Sequence, residues 1–76
     1  MFSDISNSYC VCHVRYFRNK LGFTQTELAK MCGTTQTTIS SLESGKYGAS
    51  VHLAILLSRA LGVSVHDLFS VNYYGD

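Results

Sequence analysis

One stretch, QTELAKMCGTTQTTISSLE at residues 25–43, constrains the fold of this chain more than any other feature. Leu28, Ile39 and Leu42 have the spacing that lets two short helices share a small core. Gly33 falls where the first helix must end, because glycine adopts the left-handed conformation that a Cβ disfavours. The stretch therefore predicts two helices joined by a tight turn.

The second of these helices has one apolar face and one polar face. Thr35 stands at its N-cap position, where a hydroxyl accepts a hydrogen bond from a free amide of the first turn. At about 100° per residue, one amide and several short hydroxyls share the arc opposite Ile39 and Leu42. These polar residues are Gln36, Thr37, Ser40, Ser41 and Ser44. Such side chains can approach base edges and offer both donors and acceptors, so the pattern predicts a DNA-binding helix-turn-helix.

Over most of its length, from about Val14 to Phe69, the chain resembles the lambda-repressor-like, Cro/C1-type helix-turn-helix domains, which include the lambdoid phage repressors. The resemblance is carried by Arg18, by the segments GFTQ (22–25), ELA (27–29), GTTQ (33–36), IS (39–40), LESGK (42–46) and ALGVSV (60–65), and by Leu68 and Phe69. It implies an all-α fold, a compact bundle of five helices. We expect one domain over residues 1–76, with an N-terminal arm (1–8) and a C-terminal tail (70–76).

The same resemblance implies roles for individual positions. Gln36 matches a base-contacting glutamine of similar phage repressors, and a glutamine amide can pair with both N6 and N7 of adenine. Gln25 matches a glutamine that touches the DNA backbone and braces the first residue of the recognition helix. Lys46 and the Gly45 amide match a second phosphate contact. The predicted DNA-binding residues are Gln25, Thr35, Gln36, Thr37, Ser40, Ser41, Gly45 and Lys46.

Two charged residues are expected to be architectural. The family pairs the positions of Arg18 and Glu43 in a partly buried ion pair that ties the first helix to the third. No set of nucleophile, base and acid is evident, and the three histidines share neither a helical face nor a ligand spacing. The sequence therefore predicts no enzyme activity, no metal, no cofactor and no small-molecule substrate.

Composition limits the cellular setting. The formal net charge is +1, so DNA affinity through counterion release should be modest. No apolar run is long enough for a membrane helix, and the first residues lack the basic region of a signal peptide. These features predict a cytoplasmic protein. Disulfides are not expected there. Cys10 and Cys12 leave a remote alternative, a redox or metal sensor, although on a helix their thiols would point about 200° apart.

The remaining elements follow from capping signals and apolar spacing. The first helix is predicted over residues 9–21, with Val14, Phe17 and Leu21 toward the core. Thr24 and Glu27 form a capping box that starts the second helix at Gln25. A fourth helix, capped by a serine at position 50, should end at 61–62, and a short fifth helix should open with the serine at 64. The aromatic tail could pair as a strand, dock or stay loose.

The fourth helix has more apolar surface than a helix of so small a domain needs to bury. We interpret the excess as part of a homodimer interface formed by Leu53, Leu56, Ala60 and Phe69. The sequence as a whole predicts a homodimeric transcriptional regulator that binds double-stranded DNA at a palindromic operator and acts as a repressor of phage or mobile-element type. The alternative is a protein-interaction module or antitoxin-type partner with the same fold and weak or no DNA binding.

Overall fold

A computed structural model describes residues 7–46 and 48–74 of the chain. The elements follow one another as β1 (Ser8–Cys12), α1 (Val14–Leu21), α2 (Gln25–Met31), α3 (Gln36–Glu43), α4 (Val51–Leu61), α5 (Val65–Leu68) and β2 (Phe69–Tyr73). The helices form the body of the molecule, and the two strands pair with each other as an antiparallel sheet. None of the described helices is long and apolar enough to cross a membrane.

Side-chain caps start the helices where the sequence predicts them. In α2 the Thr24 hydroxyl accepts from the Glu27 amide at 3.0 Å, and the Glu27 carboxylate accepts from the Thr24 amide at 2.8 Å. The hydroxyl of Ser50 caps α4, and Ser64 forms a second capping box with Asp67 at the start of α5. These caps satisfy amides that have no partner within the helix. The predicted starts of α2, α4 and α5 are therefore confirmed.

The all-α prediction is wrong at both ends of the chain. Residues 9–12, predicted as the start of the first helix, lie in β1, and α1 begins only after His13. The tail pairs with β1 in a register that sets Cys10 opposite Val71 and Cys12 opposite Phe69. Tyr, Val and Phe favour a pleated, half-buried surface, so tertiary pairing wins over the helical spacing. The predicted arm at 1–8 lies outside the described residues except at 7 and 8.

The apolar faces of all five helices pack together in the core. Its fully buried side chains are Val14, Leu28, Ile39, Leu42, Leu57 and Leu68. Cys32 is also buried there, as a small apolar group. Leu21, predicted to face the core, is instead half exposed at the last position of α1.

The apolar face of α4 divides into two parts. Leu53, Leu56 and Ala60 are partly buried and pack against the core cluster. Val51 and Ile55, on the other side of the helix, are 79% and 45% exposed. The apolar surface of α4 that remains open to a partner is therefore centred on Val51 and Ile55. A dimer interface on Leu53, Leu56 and Ala60 stays a prediction, and it would draw on side chains already used by the core.

Candidate nucleic-acid interface

The turn between α2 and α3 fixes the geometry of the candidate site. Gly33 takes a φ of 65°, and beyond it the Thr34 amide donates to the Ala29 carbonyl at 2.9 Å. This left-handed residue satisfies the last carbonyls of α2 and turns the chain toward α3. Thr35 then caps α3, because its hydroxyl accepts from the Thr38 amide at 3.2 Å. Thr35 therefore holds the start of α3 in place.

The polar face of α3 is open at its two ends and more enclosed in the middle. Gln36 and Thr37 are exposed, whereas Ser40 and Ser41 are half-buried. Opposite them, Ile39 and Leu42 anchor the helix in the core with almost no exposed surface. Gln36, the longest side chain on this polar face, thus lies at an end of α3 that is available to a ligand.

Gln36 and Gln25 meet across the motif. The Gln36 amide nitrogen donates to the Gln25 side-chain carbonyl at 2.6 Å, although the residues belong to different helices. Both residues line an open depression of about 530 Å³ at the start of α2. The free amides and positive dipole end of α2 favour negative charge at this place. The arrangement sets an exposed side-chain amide beside a helix N-terminus, where negative charge is favoured.

Behind the two glutamines lies a buried carboxylate that accepts four hydrogen bonds. Arg18 is bidentate to Glu43, with 2.7 Å from Nε to Oε2 and 3.0 Å from Nη2 to Oε1. Gln25 Nε2 donates to Oε1 at 3.0 Å, and Arg15 Nε approaches the same oxygen at 3.4 Å. Side-chain exposure is 0% for Glu43, 12% for Arg18 and 60% for Arg15. The structure therefore brings Arg18 and Glu43 together in the bridge between α1 and α3.

The hydrogen bonds also decide the charge state of this cluster. Burial alone would raise the pKa of Glu43, but the hydrogen bonds from Arg18 and Gln25 outweigh it and hold that pKa below its usual value. The hydrogen bond to Glu43 raises the pKa of Arg18. Both groups are consequently charged at neutral pH, which satisfies the buried carboxylate.

Two contacts of Glu43, with Arg15 and with Gln25, were not predicted from the sequence. Arg15 stands one helical turn before Arg18, and that spacing puts both side chains on the same face of α1. The spacing was visible in the sequence and could have indicated a shared acidic partner. The Gln25 contact had no such signal, because it depends on how α2 and α3 pack.

The C-terminal end of α3 carries the second set of predicted contacts. Gly45 has a φ of 79° and donates its amide to the Leu42 carbonyl at 3.2 Å, while the Lys46 amide donates to the Ser41 carbonyl at 3.0 Å. Both amides are thus engaged in closing α3. The Lys46 side chain is exposed and remains available for a phosphate. Gly45 contributes the turn that positions Lys46.

The cysteines differ from the helical arrangement expected of them. Cys10 and Cys12 are alternate residues of strand β1, so their side chains point to the same face of the sheet. Cys10 is exposed and Cys12 is half-buried. Burial raises the pKa of the Cys12 thiol, which disfavours its reactive thiolate form. Among the described residues, no three His, Cys, Asp or Glu side chains are grouped to hold a metal.

Comparison with known proteins agrees with this geometry. A family model described as helix-turn-helix matches residues 14–68. An HTH-type transcriptional regulator of Archaeoglobus fulgidus is 46% identical over 56 residues, which cover 74% of this chain and 80% of the relative. A second such regulator, from Methanothermobacter thermautotrophicus, is 43% identical over 63 residues, 82% of this chain and 91% of the relative.

A solved structure also matches most of the chain. The P22 c2 repressor protein, crystallised in complex with a synthetic operator, superposes with a TM-score of 0.72 and 31% identity. The match covers 84% of this chain and 91% of the repressor chain.

Proposed function

The chain belongs to the Cro/C1-type family of helix-turn-helix transcriptional regulators, and we propose that it acts as a homodimeric repressor that binds a palindromic operator. The observation that carries the proposal is the contact of Gln36 with Gln25 at the exposed start of α3. It combines a side chain suited to base edges with one at a helix N-terminus suited to a phosphate. The P22 c2 repressor, whose fold is similar, was crystallised with an operator.

In this proposal the DNA contacts divide into two kinds. Gln36 reads a base, and Thr37, Ser40 and Ser41 line the same face of α3 as shorter contacts. Gln25 and Lys46 contact phosphates on either side of the recognition helix and fix its register. Thr35 and Gly45 shape the two ends of α3. With a net charge of +1, the protein depends on these placed contacts more than on bulk attraction to DNA.

The proposal includes a dimer because one recognition helix reaches only one half-site. Two copies with twofold symmetry place their helices about 34 Å apart, in successive major grooves. A twofold interface sets each patch against its own copy, so a charged patch would repel itself whereas an apolar one would not.

An apolar groove of about 250 Å³ suits a second copy of the chain. The groove lies between β1, the segment after α3 and the starts of α4 and α5. It is lined by Cys10, Gly48, Ala49, Val51, Ala54, Val65 and Phe69. None of these lining residues is charged. Phe69, one of the predicted interface residues, belongs to this groove, so we place the dimer interface here.

Selection of bound sites from random DNA, followed by titration of the enriched site, tests the proposal. Gln36→Ala should weaken binding to that site by about 1–3 kcal/mol and leave binding to random DNA nearly unchanged, since only a base contact is lost. Lys46→Ala should weaken both and reduce the log–log salt dependence by about one unit. An equal loss on both DNAs for Gln36→Ala would remove its base-reading role.

A second candidate function is a protein-interaction module with the same fold. The uncharged apolar groove favours it, because the groove would also suit a different protein. The same selection experiment separates the two functions. Enrichment of a sequence with inverted repeats supports the operator-binding dimer, whereas enrichment of no sequence supports the interaction module.

A further inference from the structure

A chain of three hydrogen-bonded side chains leads from the buried ion pair to the exposed face of α3. Gln25 Nε2 donates to Glu43 Oε1 at 3.0 Å, and Gln36 Nε2 donates to Gln25 Oε1 at 2.6 Å. We call this the Glu43–Gln25–Gln36 relay. Gln25 is half-buried and Gln36 is exposed, so the relay runs from the interior to the surface.

The chemistry of Glu43 allows only one orientation of the relay. An ionised carboxylate accepts hydrogen bonds and cannot donate them. The two hydrogen bonds from Arg18 hold Glu43 in that form and in that position. Gln25 must therefore turn its NH₂ group inward and its carbonyl oxygen toward Gln36. Gln36 must in turn use one N–H of its own amide to meet that oxygen.

The orientation determines what Gln36 offers to DNA. With one N–H engaged, its free groups are the carbonyl oxygen Oε1 and the second N–H. Adenine presents an N6 donor beside an N7 acceptor in the major groove, and this pair fits an oxygen and an N–H side by side. Guanine presents O6 and N7, which are both acceptors, so the glutamine oxygen would face another oxygen.

We propose that Glu43 is a specificity-determining positioning residue, which acts through Gln25 to orient the Gln36 amide and so favours adenine over guanine at one operator position. The inference rests on the proposed function, because it concerns the base that Gln36 reads. Glu43 then has two roles: it holds α1 and α3 together through Arg18, and it orients the Gln36 amide through Gln25.

The first experiment measures base preference at the position where Gln36→Ala abolishes it in the selected site. Glu43→Gln replaces a pure acceptor with a group that can also donate to the Gln25 carbonyl oxygen. The side-chain amides of Gln25 and Gln36 can then flip, which turns the Gln36 NH₂ group outward. The ratio of affinities for adenine and guanine should then fall by roughly tenfold. An unchanged ratio in Glu43→Gln, or a guanine preferred by the wild type at this position, would overturn the proposal.

Two further variants separate orientation from stability and charge. In the double variant Gln25→Glu with Glu43→Gln, residue 43 can donate to the new carboxylate at 25, which again accepts from Gln36. The adenine preference should return, although the negative charge beside the phosphates lowers overall affinity. Glu27→Gln removes the same charge from an exposed site outside the relay and should leave the ratio unchanged. If Glu43→Gln does not fold, Gln25→Ala breaks the relay with the ion pair intact and should lower the ratio.

NMR of the DNA-free protein tests the relay independently of the operator. Gln25 and Gln36 are the only glutamines in the sequence, so their side-chain amides are readily assigned. One Gln36 Nε2 proton should exchange with solvent more slowly in the wild type than in Gln25→Ala. Equal exchange rates in the two proteins would overturn the relay. A protected proton in a protein that selects no DNA sequence would instead support the relay and contradict the proposed function.

Discussion

Glu43 is a single residue that joins α3 to α1 through Arg18 and to α2 through Gln25. Its carboxylate is fully buried and is satisfied by donors from two other helices. A buried charge of this kind is costly as soon as one partner is removed, because the remaining group cannot return to water. Substitutions here should therefore affect folding more than substitutions on the exposed face of α3.

The Arg18–Glu43 pair should behave as one energetic unit. Arg18→Ala leaves the carboxylate without its bidentate donor and should lower the free energy of unfolding by about 3 kcal/mol, measured by urea denaturation. The double variant with Glu43→Ala should cost less than the sum of the two single variants, since each removes the same interaction. Additive costs would mean that the two residues contribute independently of each other.

The pKa of Glu43 leads to a pH dependence with a defined sign. Because that pKa is lower in the folded protein than in the unfolded chain, the ionised carboxylate stabilises the fold above its ordinary pKa. This contribution is lost as the pH falls through the folded value. The stability difference between wild type and Glu43→Gln should therefore shrink from pH 7 to about pH 3. A difference that stays constant across this range would contradict the assignment.

At the scale of elements, the turn after α2 depends on a backbone conformation and not on a contact. Gly33 has a φ of 65°, and a Cβ added there would meet no atom within 4 Å. Gly33→Ala should therefore cost about 1–2 kcal/mol of stability purely through the left-handed conformation. Gly33→Asn offers a matched comparison, because asparagine enters the left-handed region more readily than alanine does. Equal thermal shifts for Gly33→Ala and Gly33→Asn would contradict this explanation.

Local signals predicted α2, α3, α4 and α5, whereas β1 was predicted as part of the first helix and a strand in the tail was only one of three alternatives. Thr24, Ser50 and Ser64 act within their own first turn, so their effect can be inferred from neighbouring residues. The sheet joins Cys12 to Phe69 across almost the whole chain, and nothing near either residue reveals the pairing. Val14 and Phe17 retain the predicted helical spacing, but they do not show that the helix begins only at Val14.

In the candidate site, likewise, the residues were predicted from the sequence but some of their contacts were not. Gln36, Gln25 and Lys46 were identified from their resemblance to a known motif, and the structure places Gln36 beside Gln25. The bond from Gln25 to Glu43 depends on the relative orientation of α2 and α3, which local spacing does not determine. The distribution of the α4 side chains between core and surface likewise depends on where the other helices pack.

At the scale of the whole molecule, the proposed dimer would link self-association to operator recognition. Val51 is 79% exposed at the edge of the apolar groove, so Val51→Glu adds a charge to the proposed interface without entering the core. Two such charges would oppose each other across a twofold axis. The variant should sediment as a monomer at micromolar concentration and lose operator affinity, while its circular dichroism remains helical.

Two comparison variants define what this result means. Met31→Glu adds the same charge at an exposed apolar residue outside the groove, and it should leave both sedimentation and operator binding as in the wild type. Leu53→Glu places the charge on a side chain packed against the core, so it should lower the melting temperature instead of producing a folded monomer. If Leu53→Glu gives a folded monomer and Val51→Glu remains dimeric, the interface lies on the Leu53 face of α4 and not at the groove. If the wild type itself sediments as a monomer at this concentration, the proposed dimer interface is wrong, because the apolar groove does not hold two copies together in solution.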